Sequence, residues 1–183
     1  MTALAGLPAF ILVVALVGVE RLAELVVSRR NTAWSLAHGG RETGQGHYPA
    51  MVVLHTGLLL AMLVEALVRR PEVPPGLAWP MLVLVVAAQG LRWRCISVLG
   101  HRWNTRVIVV PGLAPVRSGP YRWFAHPNYV AVVVEGIALP MVHASWITAL
   151  VFTVLNAALL TVRIRTENAA LASLPQETRA AHA

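Results

Sequence analysis

Long apolar runs alternate with short polar stretches along most of the chain. The runs lie at about 4–27, 49–68, 77–99, 129–142 and 146–162. A helix rises about 1.5 Å per residue, so about 20 apolar residues can span a hydrocarbon core about 30 Å thick. The last two runs are shorter and are separated by a tight turn at His143–Ser145. The pattern therefore predicts about five transmembrane helices, of which the last two form a helical hairpin.

The composition also indicates a membrane protein. Hydrophobic residues make up 57% and charged residues 13% of the 183 residues, against about 45–50% and about 25% in soluble domains. The apolar N-terminus has neither a basic leader region nor an Ala-x-Ala cleavage pattern. We therefore expect a retained transmembrane helix there rather than a signal peptide. Together these features predict an all-α integral membrane protein with a single domain over residues 1–183.

The basic residues are all arginine, and the chain has a formal net charge of +7. No basic and aromatic groove lies outside the membrane-length segments, so we do not expect nucleic-acid binding. The arginines outside the apolar runs are distributed unevenly between the two sides of the membrane. Arg69 and Arg70 would lie on one side, and the others would lie on the opposite side. The positive-inside rule then places the N-terminus outside, and residues 100–129 and the C-terminus in the cytoplasm. The absence of lysine suggests a GC-rich bacterial genome, and hence the bacterial inner membrane.

The sequence contains few candidate metal ligands. Cys95 is the single cysteine, which excludes an internal disulfide and a multi-cysteine metal site. His38 and His47 lie apart from each other without a carboxylate or thiol pattern beside them. We therefore expect no metal.

Three ionisable residues lie within the first apolar run. Glu20 and Glu24 share one face of the predicted helix, and Arg21 can pair with Glu24. Charged groups at membrane depth are usually paired and face the interior of a helix bundle. The residues have two possible roles, a structural ion pair near the interface or a polar wall of a substrate cavity.

Residues 100–129 form the largest stretch outside the apolar runs. Its prolines and glycines rule out one long helix, and Val107–Val110 is expected to be extended or to form a pocket floor. Beyond the hairpin, Arg163 and Glu167 lie one helical turn apart and share a face. The guanidinium could hold an anionic oxygen, and the carboxylate could bind an ammonium group or act as a base. The alternative for this pair is a surface ion pair that only stabilises the helix.

These polar residues also form a recognisable motif. In chain order it consists of Gly119-Pro120-Tyr121-Arg122, then His126-Pro127-Asn128-Tyr129, then Arg163 and Glu167. The motif resembles the isoprenylcysteine carboxyl methyltransferase family, whose members are small integral membrane enzymes that use S-adenosylmethionine. Further similarity, as in Trp103-Asn104-Thr105, extends to a bacterial subgroup that methylates alkylpyrones and related phenolic lipids. Where the family often has paired glutamates, Asn168 follows Glu167 here.

The resemblance implies a role for each motif residue within a catalytic region at 100–175. Glu167 would meet the ammonium group of the cofactor, and Arg163 would position the accepting oxygen, so these two form the catalytic pair. The remaining cofactor-binding residues would be Leu113, Ala114, Pro115 and Val116 around the adenine, and Tyr121, His126, Pro127, Asn128 and Tyr129 around the ribose and methionine portions.

The expected function is methyl transfer from S-adenosylmethionine to an oxygen of a lipophilic acceptor that arrives from the membrane lipid, such as an alkylpyrone or alkylresorcinol hydroxyl. One alternative acceptor is the carboxylate of a prenylated cysteine. A second alternative is a non-enzymatic membrane scaffold or transporter, although the absence of internal repeats argues against a transporter.

Overall fold

Five long helices build the fold in the computed structural model, which describes residues 6–173. The helices are α1 (Leu7–Ala37), α2 (Tyr48–Arg69), α3 (Pro75–Leu99), α4 (Pro127–Met141) and α5 (Trp146–Ala172). Short 3-10 helices occupy Gln45–His47, Gly100–Arg102 and Gly119–Arg122. Strands β1 (Arg41–Thr43) and β2 (Val107–Val109) form one small antiparallel sheet. Residues 4–5 of the predicted first run and residues 174–175 of the predicted catalytic region lie outside the described residues.

The helices confirm the prediction of an all-α membrane protein. Three helices are long and apolar enough to cross a membrane: α2 with the preceding 3-10 turn, α3 and α5. The shorter apolar helix is α4, and α1 carries Glu20, Arg21 and Glu24 within its apolar part. That α1 and α4 also cross the membrane stays a prediction.

Prolines mark the starts of these helices. Proline stands in the first turn of α2, α3 and α4, where its missing N–H group would have had no helical partner. At the end of α3, Gly100 adopts a positive φ of 54°, a conformation that costs glycine little. The chain therefore leaves α3 sharply and enters the polar region 100–126.

The first helix is longer than predicted. The apolar run predicted to span the membrane ends near residue 27, but α1 continues through Arg29 and Arg30 to Ala37. Its extra turns have buried polar positions, among them Ser28, Asn31 and Ser35. Asn31 Nδ2 donates hydrogen bonds to the carbonyl oxygens of Gly100 (3.1 Å) and Trp103 (2.7 Å). Contact with a distant part of the chain therefore holds a helical stretch whose own sequence looks like a helix end.

The predicted helical hairpin of α4 and α5 is present. The two helices pack against each other, α4 also packs on α3, and α5 packs on α2. A Cβ atom at Gly136 of α4 would overlap the ring of Phe152 on α5, so the glycine permits close contact. In the turn between the helices, Ser145 donates a hydrogen bond to the carbonyl oxygen of Met62 at 3.2 Å.

The small sheet joins the loop after α1 to the polar region. Glu42 of β1 pairs with Ile108 of β2, and the Arg106 guanidinium lies 2.9 Å from the Glu42 carboxylate. Val107–Val109 is thus extended, as predicted. Strand β2 of this sheet lines part of the cavity described next.

Candidate active site

A cavity of about 210 Å³ lies between the polar region and the last turns of α5. All but one of the residues predicted to bind a cofactor or acceptor line it: Leu113, Ala114, Pro115, Val116, Tyr121, His126, Asn128, Tyr129, Arg163 and Glu167. The exception is Pro127, which is fully buried in the first turn of α4. Pro127 sets the start of α4 and so orients its neighbours, but it does not line this cavity.

Arg163 is held by groups from three other parts of the chain. Its Nε donates to the Tyr129 hydroxyl at 2.8 Å, and its Nη1 donates to the Thr105 carbonyl oxygen at 2.7 Å. The Met51 sulfur lies 3.3 Å from Nη1. The side chain is 5% exposed, and Nη2 makes no hydrogen bond within the described residues. The fixed guanidinium therefore has one nitrogen left for an oxygen of a bound molecule.

Tyr129 links Arg163 to Glu167. Its hydroxyl donates to a carboxylate oxygen of Glu167 while it accepts the Arg163 hydrogen bond. His126 stacks on the Tyr129 ring with centroids 5.3 Å apart, and its Nδ1 lies 3.7 Å from the other Glu167 oxygen. Asn168, which stands where the family often has a second glutamate, is 3.2 Å from His126 Nε2. Asn168 thus orients His126 rather than adding a second carboxylate to the cavity.

The opposite wall of the cavity is apolar. It contains Leu113–Val116, here called the apolar loop, and the strand residues Val107–Val109. Arg102 Nη1 donates to the Ala114 carbonyl oxygen at 2.7 Å and so anchors the apolar loop. Burial raises the pKa of Tyr121 above its usual range, so its phenol stays protonated at neutral pH and can donate a hydrogen bond.

Three polar atoms in the cavity wall are buried without a hydrogen-bond partner among the residues that the structure describes. They are Trp103 Nε1, Asn104 Nδ2 and Asn128 Oδ1. Asn104 Oδ1 already accepts from Ser28 (2.8 Å) and Thr32 (3.0 Å), so the amide must direct its NH₂ group away from α1. Buried polar groups normally have partners. A polar ligand in the cavity would provide them.

A second cavity, of about 190 Å³, lies among the helices of the bundle. Met51 and His55 of α2, Val132 of α4 and Leu160 of α5 line it. The charged residues Arg21, Glu24, Arg92 and Glu135 also line it. The interpretation of Arg21 and Glu24 as a polar cavity wall therefore has structural support, while their 2.8 Å ion pair also agrees with a structural role.

The two cavities share a wall. Trp103, Asn104, Asn128, Tyr129 and Arg163 line both of them. Glu167 lines the first and His55 the second. Molecules bound in the two cavities would therefore meet at the guanidinium of Arg163.

Sequence reasoning missed several residues of this arrangement. Arg102, Trp103 and Asn104 were assigned no function, although Trp103 and Asn104 belong to the motifs of the resemblance. Their place depends on α1, because Ser28 also accepts a hydrogen bond from the Thr105 backbone N–H at 3.0 Å. The apolar run predicted in this part of the chain ends near residue 27, so it gave no reason to expect contacts made by Ser28.

No group of histidine, cysteine and acidic residues in the described part of the chain could hold a metal ion. Cys95 is buried with a free thiol.

Comparison with known proteins supports the resemblance. The family model of the isoprenylcysteine carboxyl methyltransferase (ICMT) family matches residues 81–173, which is half of the chain. Uncharacterized protein YpbQ of Bacillus subtilis is 36% identical over 163 residues, covering 88% of this chain and 96% of that protein. An uncharacterized protein of Haemophilus influenzae is 24% identical over 155 residues, covering 84% and 90%. No solved structure matches the chain.

The family match includes α4, α5 and the residues around the first cavity, and family membership indicates a membrane methyltransferase. The chain belongs to the isoprenylcysteine carboxyl methyltransferase family.

Proposed function

We propose that the protein is an S-adenosylmethionine-dependent O-methyltransferase that acts on a lipophilic acceptor taken from the bilayer. The observation that carries this proposal is the pair of cavities with a common wall at Tyr129 and Arg163. One cavity lies beside the polar region and the other among membrane-length helices. A water-soluble methyl donor and a membrane-soluble acceptor need separate binding sites that meet at one point, and this arrangement offers them.

The residues of the first cavity fit S-adenosylmethionine. The apolar loop suits the adenine ring, and the Glu167 carboxylate suits the ammonium group. The unpartnered donors Trp103 Nε1 and Asn104 Nδ2 suit carboxylate or hydroxyl oxygens. The cofactor supplies an electrophilic methyl group on a positively charged sulfur.

Arg163 has the central role in the proposed mechanism. Its free Nη2 would bind the accepting oxygen and, being cationic, would favour the anionic form of that oxygen. The hydrogen bonds to Tyr129 and Thr105 hold the guanidinium in one orientation, so little ordering is needed when the acceptor binds. The buried common wall limits the access of water to the reacting atoms.

The proton of a hydroxyl acceptor needs a base, whereas a carboxylate acceptor arrives ready to react. Glu167 is one candidate base, because its carboxylate lines the first cavity next to the Tyr129 hydroxyl. His55 is the other, because it lines the second cavity. His55 Nδ1 lies 2.8 Å from the Met51 carbonyl oxygen and must donate to it. A neutral His55 therefore keeps Nε2 as a proton acceptor.

The proposed acceptor is an alkylpyrone or alkylresorcinol-type hydroxyl. The charged and polar residues that line the second cavity suit the oxygens of such a head group better than they suit a purely hydrocarbon chain. In the alternative reaction the acceptor is a prenylated protein tail, which bacteria generally lack. The protein would lie in the bacterial inner membrane with its N-terminus outside. The first cavity would then face the cytoplasm, where nucleotide-like cofactors occur.

Two measurements on purified protein in detergent test the proposal. S-adenosylhomocysteine should raise the thermal unfolding temperature of wild type, and radiolabelled methyl should move from S-adenosylmethionine to an alkylpyrone rather than to a farnesylcysteine analogue. Glu167→Ala should weaken the thermal shift. If neither S-adenosylmethionine nor S-adenosylhomocysteine raises the unfolding temperature, and if Glu167→Ala changes neither cofactor binding nor methyl transfer, the protein is a non-enzymatic scaffold or transporter instead. Transfer to the farnesylcysteine analogue alone would identify the carboxylate acceptor.

A further inference from the structure

A network of four charged side chains lies in the wall of the second cavity. Arg21 and Glu24 come from α1, Arg92 from α3 and Glu135 from α4. Arg21 Nη1 is 2.8 Å from Glu24 Oε2, and Arg92 donates a hydrogen bond to Glu135. Arg21 Nη2 lies 3.7 Å from Glu135. The network thus connects three helices of the bundle.

Three of the four side chains in the network are deeply buried, and the Arg21 side chain is 19% exposed. Glu24, Arg92 and Glu135 are only 4%, 5% and 6% exposed. Ion pairs at such depth lose much of their attraction to the cost of desolvation, and well-packed apolar residues often hold helices together as firmly. Ionisable groups inside membrane helices are also rare and usually mark a functional site. Stabilisation of the helix contacts therefore does not by itself explain why four charged side chains lie beside a cavity.

The network also leaves hydrogen-bonding capacity unused. Arg21 Nε, Arg92 Nε and Glu24 Oε1 are buried and have no hydrogen-bond partner among the described residues. Arg92 Nε and Glu24 Oε1 lie 3.5 Å apart, too far for a good hydrogen bond between them. All three residues line the cavity. A polar group that entered the cavity could therefore find both donors and an acceptor.

The charges on the network identify the kind of group that would fit. The two arginines and two glutamates sum to zero, and Glu20, which lies 3.8 Å from Arg21 but does not line the cavity, adds a negative charge. The network therefore has no excess positive charge to hold a phosphate or a carboxylate. Its balanced donors and acceptors instead suit an uncharged hydroxyl or carbonyl oxygen. Arg163, which lines the same cavity, is already assigned to the oxygen that receives the methyl group.

We propose that Arg21, Glu24, Arg92 and Glu135 bind a second, uncharged oxygen on the head of the acceptor, apart from the oxygen that is methylated. The inference rests on the proposed function and narrows it. The acceptor is a lipid whose small polar head carries two separate oxygens, one at Arg163 and one at the network. A lipid with a single hydroxyl would fill the cavity with its chain but leave the network without a partner.

The test compares two probe lipids that have the same alkyl chain, an alkylresorcinol with two hydroxyls and an alkylphenol with one. Wild type should show a kcat/KM for the alkylresorcinol that is roughly 10- to 100-fold higher, the range of one hydrogen bond to charged groups. The two equivalent hydroxyls of the alkylresorcinol can at most double its rate. A larger preference that is lost in the network variant described next must come from binding of the second oxygen, because the intrinsic reactivity of the two lipids is the same in both proteins.

The informative variant is Arg92→Gln combined with Glu135→Gln. It removes one positive and one negative charge together, so no unpaired charge is left in the bundle. In this variant the ratio of the kcat/KM for the alkylresorcinol to that for the alkylphenol should fall to within about threefold of one, since the charge-assisted hydrogen bond is lost. The kcat/KM for the alkylphenol and the affinity for S-adenosylhomocysteine should change much less.

A matched control exists in the same protein. Glu65 and Arg69 of α2 form another ion pair, at 2.6 Å, and neither residue lines either cavity. Glu65→Gln combined with Arg69→Gln makes the same chemical change away from the network. It should keep the alkylresorcinol preference of wild type, even where it lowers thermal stability.

Equilibrium binding of both lipids, followed by tryptophan fluorescence, separates failure of the inference from failure of the proposed function. If both lipids are methylated equally well, or if the network variant slows both by the same factor, the network is structural and the inference is wrong. If the alkylresorcinol binds preferentially through the network but no methyl is transferred, the proposed function fails and the binding site stands. If neither lipid binds, the inference is wrong, and methyl transfer to the farnesylcysteine analogue then decides whether the proposed function stands.

Discussion

The hydroxyl group of Tyr129 connects the two residues on which the proposed reaction depends. Tyr129→Phe removes this single oxygen and keeps the ring. Arg163 Nε then loses its 2.8 Å acceptor, and Glu167 loses a donor. Because Arg163 is 5% exposed, water cannot readily replace the lost acceptor. The guanidinium keeps its bond to Thr105 but can rotate about it.

The size of the effect follows from the bond that is lost. A hydrogen bond to a charged group contributes about 1.5–3 kcal/mol, and about 1.4 kcal/mol corresponds to a factor of ten. If the bond serves to orient Arg163 toward the acceptor, kcat/KM should fall about 10- to 100-fold. The affinity for S-adenosylhomocysteine should change less than about fivefold, because Glu167 remains free to bind an ammonium group.

Initial rates of radiolabelled methyl transfer and cofactor titrations, both in the same detergent, measure the two quantities. Thr161→Val is a suitable control. It also removes one hydroxyl from this region, but Thr161 is exposed and bonds only to the Ala157 carbonyl oxygen of its own helix. An unchanged kcat/KM in Tyr129→Phe would refute the idea that Tyr129 orients Arg163. Equal losses of rate and cofactor affinity would instead place the hydroxyl in the cofactor site.

Three further predictions concern other parts of the structure. Arg163→Ala should lower turnover about 100- to 1000-fold while S-adenosylhomocysteine still binds, and equal loss of turnover and binding would contradict the assigned role. Arg102→Ala should weaken cofactor binding about tenfold, as titration would show, because the apolar loop loses its anchor, a hydrogen bond from a charged group. Gly136→Ala should destabilise the protein by about 1–3 kcal/mol, since its methyl group would overlap Phe152. Gly57→Ala, where no atom lies within 4 Å of the added methyl, should leave the thermal unfolding temperature nearly unchanged.

Much of the fold could be predicted from local patterns. Apolar runs and prolines predicted the five helices, and the short turn at His143–Ser145 predicted the hairpin. The motif at 119–129 and the spacing of Arg163 and Glu167 predicted the polar residues Tyr121, His126, Asn128, Tyr129, Arg163 and Glu167 of the first cavity. Pro127 belongs to the same motif but does not line the cavity, because a motif shows which residues occur together but not which of them only shape the backbone.

Other features depend on partners far away in the chain. Arg92 and Glu135 lie on different helices, and neither sequence neighbourhood identifies the other residue as its partner. The continuation of α1 to Ala37 depends on bonds such as that from Asn31 to Trp103, which are 72 positions apart. No local pattern encodes such a contact, because packing of the whole bundle decides which helix faces meet.

The sequence by itself thus determined that the chain is a helical membrane protein of this family, because hydrophobicity, proline positions and motif spacing are local properties. Only the tertiary structure decided that Tyr129 and Arg163 separate two cavities and that four charged residues line the second. Those features arise because helices bury their polar faces together, and the choice of partner depends on the packing of all five helices at once.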